Sequence, residues 1–421
     1  MVDASLWISS SPSSLPQFAE VVIIGGGVMG ASLAYHLAKA GQRDVVLLER
    51  ESFFGQGATR AAAGGIRYQF STAINIRLSQ LSLPMLDAFE DETGQAIDVR
   101  HCGYLFLLTR EEDVAAFERN VALQHRLGVQ TEWLTGDEIR RRLPMLQLDD
   151  VLTGAWHAQD GLADPNGVVM GYINGARRIG AHVFNDVTVT GILVGGDSFV
   201  GGDSSHRQSA SGDASHRDAS HHRVIGVITN RGRIETPIVV NAAGPWAASI
   251  GQMVGLDLPI VPIRRQWLTT TPLPQIPDDF PFVIDFAQSL YFHREGRGLL
   301  TGMSNPNQSP GIDQSVDKDW ELTAMEAAIN RIPLLETAGI ASRLAGLYEV
   351  TPDAHPILGG TPIEGFFVCA GFSGHGFMHG PICGKLMAQE ILNGRATTLN
   401  IDPLRFERFA VGAVREEYNV V

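Results

Sequence analysis

The feature that most constrains this chain is a stretch of about thirty residues near its start. Residues 20–24, Glu-Val-Val-Ile-Ile, form an apolar, β-branched run. That is the pattern of a strand buried on both faces of a parallel sheet. Gly25, Gly26 and Gly27 follow, and Val28–Lys39 then carries apolar residues at helical spacing. Gly41 stands where such a helix would end. Val45–Leu48 predicts a second buried strand, closed by Glu49. Gly25-x-Gly27-x-x-Gly30 thus sits between a strand and a helix, with an acid at the end of the next strand. This is a dinucleotide-binding unit. Gly25 permits the turn, Gly27 lets backbone approach a pyrophosphate at the helix N-terminus, and Gly30 lets helix and strand pack closely. Glu49 can accept ribose hydroxyls and would repel a 2′-phosphate.

Both FAD and NAD fit that unit, and the rest of the chain separates them. Residues 57–67 form a small-residue loop ending in Ile66-Arg67, where a flat ring system can lie against backbone. Residues 371–378, Gly-Phe-Ser-Gly-His-Gly-Phe-Met, form a second glycine cluster between a strand at 366–370 and a helix at 381–393. Two such sites at opposite ends of the chain suit one long ligand, FAD. An NAD-linked dehydrogenase leaves the second cluster unexplained. Glycine as a whole is enriched, 46 in 421 residues, about 11% against an average near 7%.

Between these ends the pattern predicts helices at 75–92, 111–127, 165–181 and 318–331. Strands are expected at 103–108, 187–194, 224–229, 234–241, 259–272, 281–286, 289–293 and 298–302. The fold class is therefore α/β (an α+β two-domain arrangement), with a Rossmann-like FAD-binding domain and a β-rich substrate domain from the middle of the chain. The expected division is a flexible N-terminal tail at 1–18, FAD-binding parts at 19–90, 156–250 and 336–421, and substrate-domain parts at 91–155 and 251–335. Residues 195–223 are a low-complexity insertion rich in Gly, Asp, Ser, His and Arg, which cannot bury enough surface to order itself. It is read as a solvated loop in a hairpin. Metal binding by His206, His216, His221 and His222 is the alternative, set aside because spacing without a scaffold is weak.

Charge and composition exclude several classes. Thirty-two basic and 46 acidic residues give a net charge of −14, which argues against nucleic acid and anionic membranes as partners. No run approaches the ~18 apolar residues of a transmembrane helix. The first 18 residues lack the layout of a signal peptide. Cys102, Cys369 and Cys383 are too few and too scattered for a disulfide framework or a zinc site. A reducing, cytoplasmic location is expected.

Five motifs occur in order: the N-terminal fingerprint, Gly57-Ala-Thr-Arg60, residues 241–246 (Asn-Ala-Ala-Gly-Pro-Trp), residues 351–356 (Thr-Pro-Asp-Ala-His-Pro) and residues 371–378. Together they resemble the D-amino-acid-oxidase-like family of FAD enzymes. Residues 64–70, 103–108 and 160–165 resemble sarcosine oxidase β subunits and the β subunit of dye-linked L-proline dehydrogenases. The resemblance spans about 20–410, omitting 195–223.

The resemblance implies oxidation of the C–N bond of a secondary or N-methylated amino acid, by hydride transfer to flavin N5 and hydrolysis of the imine. A noncatalytic or electron-transferring flavin subunit of a larger complex, and a D-amino acid or glycine oxidase, remain as alternatives. Arg67 matches an arginine that anchors the substrate carboxylate. Tyr291, Tyr348 and His375 are expected to line the reacting centre. The cofactor is expected to touch Gly25, Gly27, Val28, Met29, Gly30, Glu49, Arg50, Thr59, Arg60, Gly64, Gly65, Val187, Ala242, Gly244, Trp246, Gly371, Gly374, His375, Gly376, Phe377 and Met378, with no metal. Relatives attach flavin covalently through a cysteine or a histidine. Gly346 stands where the cysteine would be and Ala61 near the place of the histidine, so FAD is expected to bind noncovalently. A lysine linked to oxygen activation falls near Leu299-Leu300 and is absent, which favours a dehydrogenase over an oxidase. A second lysine that helps hold carboxylate is replaced by Met378. Related β subunits work in larger assemblies, which leaves room for partner subunits or a separate electron acceptor, though no sequence feature marks an interface.

Overall fold

Short valine- and isoleucine-rich runs build a six-stranded sheet in the computed structural model, which describes residues 14–195, 222–412 and 414–420. Its order is Ile357–Gly360, Phe366–Ala370, Val239–Asn241, Val21–Ile24, Val45–Leu48 and His182–Phe184. All neighbours run parallel except the Ile357–Gly360 edge. Alternate residues face opposite layers. Val21, Ile23, Val45 and Leu47 pack on helices Val28–Lys39, Pro165–Arg178 and Gly376–Asn393. Val22, Ile24, Val46 and Leu48 pack on a three-stranded antiparallel sheet, Gly232–Glu235, Arg223–Thr229 and Val189–Gly195.

Two of those helices lie unusually close. A Cβ added at Gly380 would fall 2.5 Å from Val28 Cγ2, and one at Gly384 would fall 2.2 Å from Ser32 Oγ. Their four-residue spacing puts both glycines on one helix face. Helix Gly376–Asn393 therefore nests against helix Val28–Lys39. Both helices begin at the carboxyl ends of parallel strands, where open α/β sheets bind ligands.

The middle of the chain forms an eight-stranded sheet, in order Ile340–Val350, Val261–Thr270, Gly298–Met303, Leu290–Glu295, Phe282–Asp285, Tyr104–Leu108, Thr153–His157 and Glu132–Leu134. One face packs on helix Lys318–Arg331 through Leu105, Val283, Phe292 and Leu299. The other presents Tyr104, Phe106, Phe282 and Tyr291.

Several sequence expectations need correction. The strand expected at 234–241 is two strands in different sheets, Gly232–Glu235 and Val239–Asn241. Pro237 lies between them and has no N–H for a ladder. The helix expected at 75–92 breaks at Ala88 into Ala73–Asp87 and Phe89–Thr93. The C-terminal helix begins at Gly376, five residues before the expected start, with Pro381 inside it. A long strand, Ile340–Val350, is present where no strand is expected. It pairs with Val261–Thr270 in the eight-stranded sheet, not within the 336–421 cofactor-binding part. Residues 14–18 of the expected flexible tail are tied down, with Phe18 bridged to Glu235 and Glu235 N–H donating to the Gln17 carbonyl at 2.9 Å. Residues 1–13 lie outside the described residues. So do His206, His216 and His221; of that cluster only His222 is described. The hairpin flanking the insertion is present as Val189–Gly195 paired with Arg223–Thr229.

Candidate active site

A cavity of about 370 Å³ lies between the two large sheets and extends along the first dinucleotide-binding turn. At its nucleotide end the fingerprint adopts the geometry its residues predict. Gly25 has φ +111°, and a Cβ there would lie 2.4 Å from the Ala242 carbonyl oxygen. A Cβ at Gly30 would lie 1.9 Å from the Gly25 oxygen. Helix Val28–Lys39 starts at Gly27, which has no capping side chain, and no acid lies in its first turn. Its positive end is thus available to an anion. Thr59 Oγ1 accepts from Val28 N–H at 3.2 Å. Glu49 accepts from Gly26 N–H at 2.6 Å and Glu51 N–H at 2.9 Å. Burial raises its pKa, and these N–H groups oppose the rise. Arg50 lies 3.7 Å from the Trp246 ring centroid, and both residues line the cavity.

The other end is an aromatic chamber. Tyr104 stacks on Phe282 at 4.3 Å, and Phe282 on Tyr291 at 5.8 Å. Tyr291 lies across the neighbouring strand because Gly302 leaves room; a Cβ there would be 2.4 Å from its Oη. Arg265 sits 5.3 Å from the Tyr348 ring. Burial raises the pKa of Tyr104, Tyr291 and Tyr348, so these phenols stay protonated.

Several buried polar atoms of residues that line the cavity lack protein partners. Among the described residues, His375 Nδ1 and Nε2, Glu349 Oε2 and Arg265 Nε have none, and all three residues line the cavity. Buried polar atoms are rarely left so, and a ligand rich in hydroxyl and carbonyl groups would supply partners. Together with the glycine cradle at Gly25 and Gly27 and a helix end with no acid in its first turn, these atoms fit FAD. His375 packs edge-on against Phe70 at 5.3 Å and His379 at 5.2 Å. Burial holds His375 well below the usual histidine range and lowers His379 to about 3, so both are neutral near pH 7. Burial pushes the Glu349 carboxyl up to about 7.

Arg67 is 4% exposed. Its Nη1 donates to the Gln69 carbonyl and its Nη2 to the Asn419 carbonyl. Its face rests 4.0 Å from the Phe70 ring centroid. Both partners are neutral, so the cation reaches the cavity without a carboxylate of its own among the described residues.

Most expected residues therefore share one cavity. Gly25, Gly27, Val28, Met29, Glu49, Arg50, Thr59, Gly64, Gly65, Val187, Ala242, Gly244, Trp246, Gly374, Gly376, Phe377 and Met378 line it with Arg67, Tyr291, Tyr348 and His375. Arg60 does not. Its side chain is exposed and lines a separate recess with Asp98 and Glu295, whereas its neighbour Thr59 is the buried residue of the Ala58–Ala61 turn. Gly30 and Gly371 do not line it either. Gly30 packs beneath the Gly25 carbonyl, and Gly371 turns at φ +89° against Thr351. Asp353 of the 351–356 motif is also structural, pairing with Arg408 at 2.8 Å. Sequence reasoning missed Tyr104, Phe282, Arg265, Trp267 and Glu349. The signal lay in period-two spacing: Arg265 and Trp267 share a face, as do Gly346 and Tyr348.

A profile of the FAD dependent oxidoreductase (DAO) family matches residues 20–390. Human mitochondrial sarcosine dehydrogenase is 32% identical over 400 residues, covering 92% of this chain and 41% of that protein. Rat mitochondrial dimethylglycine dehydrogenase is 31% identical over 427 residues, covering 95% of this chain and 46% of that protein. The chain thus spans less than half the length of these two relatives. The solved L-proline dehydrogenase from P. horikoshii is 31% identical, with a TM-score of 0.83, covering 95% of this chain and 100% of that one. No helix among the described residues is long and apolar enough to cross a membrane.

Proposed function

The chain belongs to the FAD-dependent oxidoreductase family, and from that premise we propose that it oxidises the C–N bond of a secondary or N-methylated amino acid. The carrying observation is the buried Arg67 cation, with no acidic partner among the described residues, beside an aromatic chamber that adjoins the dinucleotide cleft. When bound, FAD supplies the hydride acceptor. Arg67 holds the substrate carboxylate through the planar fork that suits it. Tyr104, Phe282, Tyr291 and Tyr348 exclude water and surround the ring or N-methyl group. Neutral His375 lines the same cavity and can hydrogen-bond the amine nitrogen. The product is an imine, which water hydrolyses.

Noncovalent binding is favoured by the wall facing Gly346. A Cβ there would lie 2.2 Å from Ala61 Cβ, so the two positions that carry flavin linkages in relatives meet, and neither bears a nucleophile. A dehydrogenase is favoured because Leu299 and Leu300 are buried and apolar. The electron acceptor would be a separate protein, partner subunit or dye. Three free cysteines suit a reducing compartment, the cytoplasm.

Turnover with a dye acceptor tests the substrate class. Sarcosine, dimethylglycine and L-proline should be compared with methylamine, dimethylamine and pyrrolidine, which lack the carboxylate. The acids should be preferred, and Arg67→Met should raise their KM roughly 10–150-fold. Equal use of the carboxyl-free amines, unaffected by Arg67→Met, would defeat the reading.

A further inference from the structure

Residues 414–420 run behind Arg67. The Glu417 carboxylate is 3% exposed and is satisfied by six donors from four residues. Oε1 accepts from Ser71 N–H at 2.7 Å, Ser71 Oγ at 2.6 Å and Asn419 N–H at 3.1 Å. Oε2 accepts from Thr72 N–H at 3.1 Å, Thr72 Oγ1 at 2.7 Å and Asn75 Nδ2 at 3.0 Å. Thr72 is the N-cap of helix Ala73–Asp87, so the carboxylate also meets the positive end of that helix.

Asn419 lies two residues further on. Its side chain accepts from Asn120 Nδ2 at 3.0 Å and donates to the Gln69 carbonyl at 3.3 Å. Its main-chain carbonyl accepts from Arg67 Nη2, and Val420 reaches the cavity wall. Arg67 is thus gripped by one carbonyl from its own loop and one from a segment 352 residues away. A guanidinium binds carboxylate well only when its donor edge is fixed. Without the Asn419 carbonyl, a buried N–H loses its partner and the edge is free to turn.

We propose that Glu417 is a positioning residue of the substrate site. It clamps residues 417–420 against the 71–75 turn, so that the Asn419 carbonyl aims Arg67 at the substrate carboxylate. The proposal rests on the reading of Arg67 given above.

The test uses the flavin-loaded full chain. Pyrrole-2-carboxylate, a planar cyclic acid, is titrated by its perturbation of the flavin spectrum, with pyrrole as its carboxyl-free counterpart. Glu417→Ala should raise the acid's Kd roughly tenfold, the scale of one hydrogen bond to a charged group, and leave pyrrole within about twofold. On an Arg67→Met background, Glu417→Ala should add nothing, because coupled residues are not additive. Asn120→Ala leaves the buried carboxylate in place and should weaken the acid in the same direction, which covers the case in which Glu417→Ala does not fold. Wild-type affinity in the Glu417 and Asn120 variants, alongside weakened binding in Arg67→Met, overturns the clamp and leaves the Arg67 reading intact. Additive weakening, or equal weakening of pyrrole, also overturns it, since either marks general loosening. Failure of the wild type to bind the acid, or of Arg67→Met to weaken it, overturns the Arg67 reading and the clamp with it.

Discussion

Replacing Glu349 with glutamine is expected to stabilise the flavin-free protein above neutral pH. Glu349 lies on strand Ile340–Val350, where its Oε2 sits 3.3 Å from the place a Gly244 Cβ would occupy. That oxygen has no partner among the described residues. Burial lifts the carboxyl from its ordinary 4.5 to about 7, with the Gly371 and Phe372 N–H groups restraining the rise. At about 1.4 kcal/mol for each pH unit, that rise corresponds to about 3 kcal/mol. The folded pKa lies above the unfolded one, so the proton's contribution is fully present below pH 4.5 and is lost as pH climbs through about 7. Glutamine has the same shape and no such titration. Urea unfolding of both proteins at pH 5, 6, 7 and 8 should show the variant gaining steadily on the wild type, approaching about 3 kcal/mol at pH 8. FAD is expected to narrow that gap, because a hydroxyl donor at Oε2 favours the charged carboxylate. A stability difference that does not change with pH, or one in which the wild type gains as pH rises, would refute the reasoning.

Three other substitutions probe the nucleotide site, the packing of two helices and a buried ion pair. Glu49→Ala removes the acceptor for the Gly26 and Glu51 N–H groups and should weaken FAD binding at least tenfold in a flavin-fluorescence titration, the scale of one charge-assisted bond. Gly384→Ala places a methyl 2.2 Å from Ser32 Oγ and 2.7 Å from the Leu33 backbone nitrogen. It should cost about 1–3 kcal/mol by overpacking, seen as a lower thermal midpoint. Asp353→Asn breaks the pair in which Arg408 Nε and Nη2 bond the carboxylate at 2.8 and 3.0 Å. Both residues are buried, so denaturant unfolding should show a loss of about 3–5 kcal/mol.

The nucleotide half of this site was readable because its chemistry is local. The run from Val21 to Glu49 carries strand, turn, helix and acid in consecutive order, and each glycine has a distinct steric reason. Val28–Lys39, Val45–Leu48 and Phe366–Ala370 were legible to the residue, since helical spacing or an unbroken apolar run marked them. The substrate half depends on pairing across the chain. Tyr104 meets Phe282 only because their strands align in parallel, and Gly346 meets Arg265 only through antiparallel register. Ile340–Val350 shows charged and small residues along much of its length, so no apolar run announced it. The place of Glu417 was invisible for the same reason. Nothing in an isolated acidic residue tells that it will be buried against Ser71 and Thr72. Arg60 misled in the opposite way, since its place in the loop sequence does not tell which way its exposed side chain faces.

Anaerobic bleaching shows whether a bound flavin oxidises a carboxylated amine. The purified protein should be yellow, and addition of sarcosine, dimethylglycine or L-proline without oxygen should bleach its flavin absorbance. Readmitted air should restore the colour slowly, and an artificial dye acceptor should restore it fast. A colourless protein, or a yellow one that no member of a panel of N-methyl and cyclic amino acids bleaches, would contradict the account.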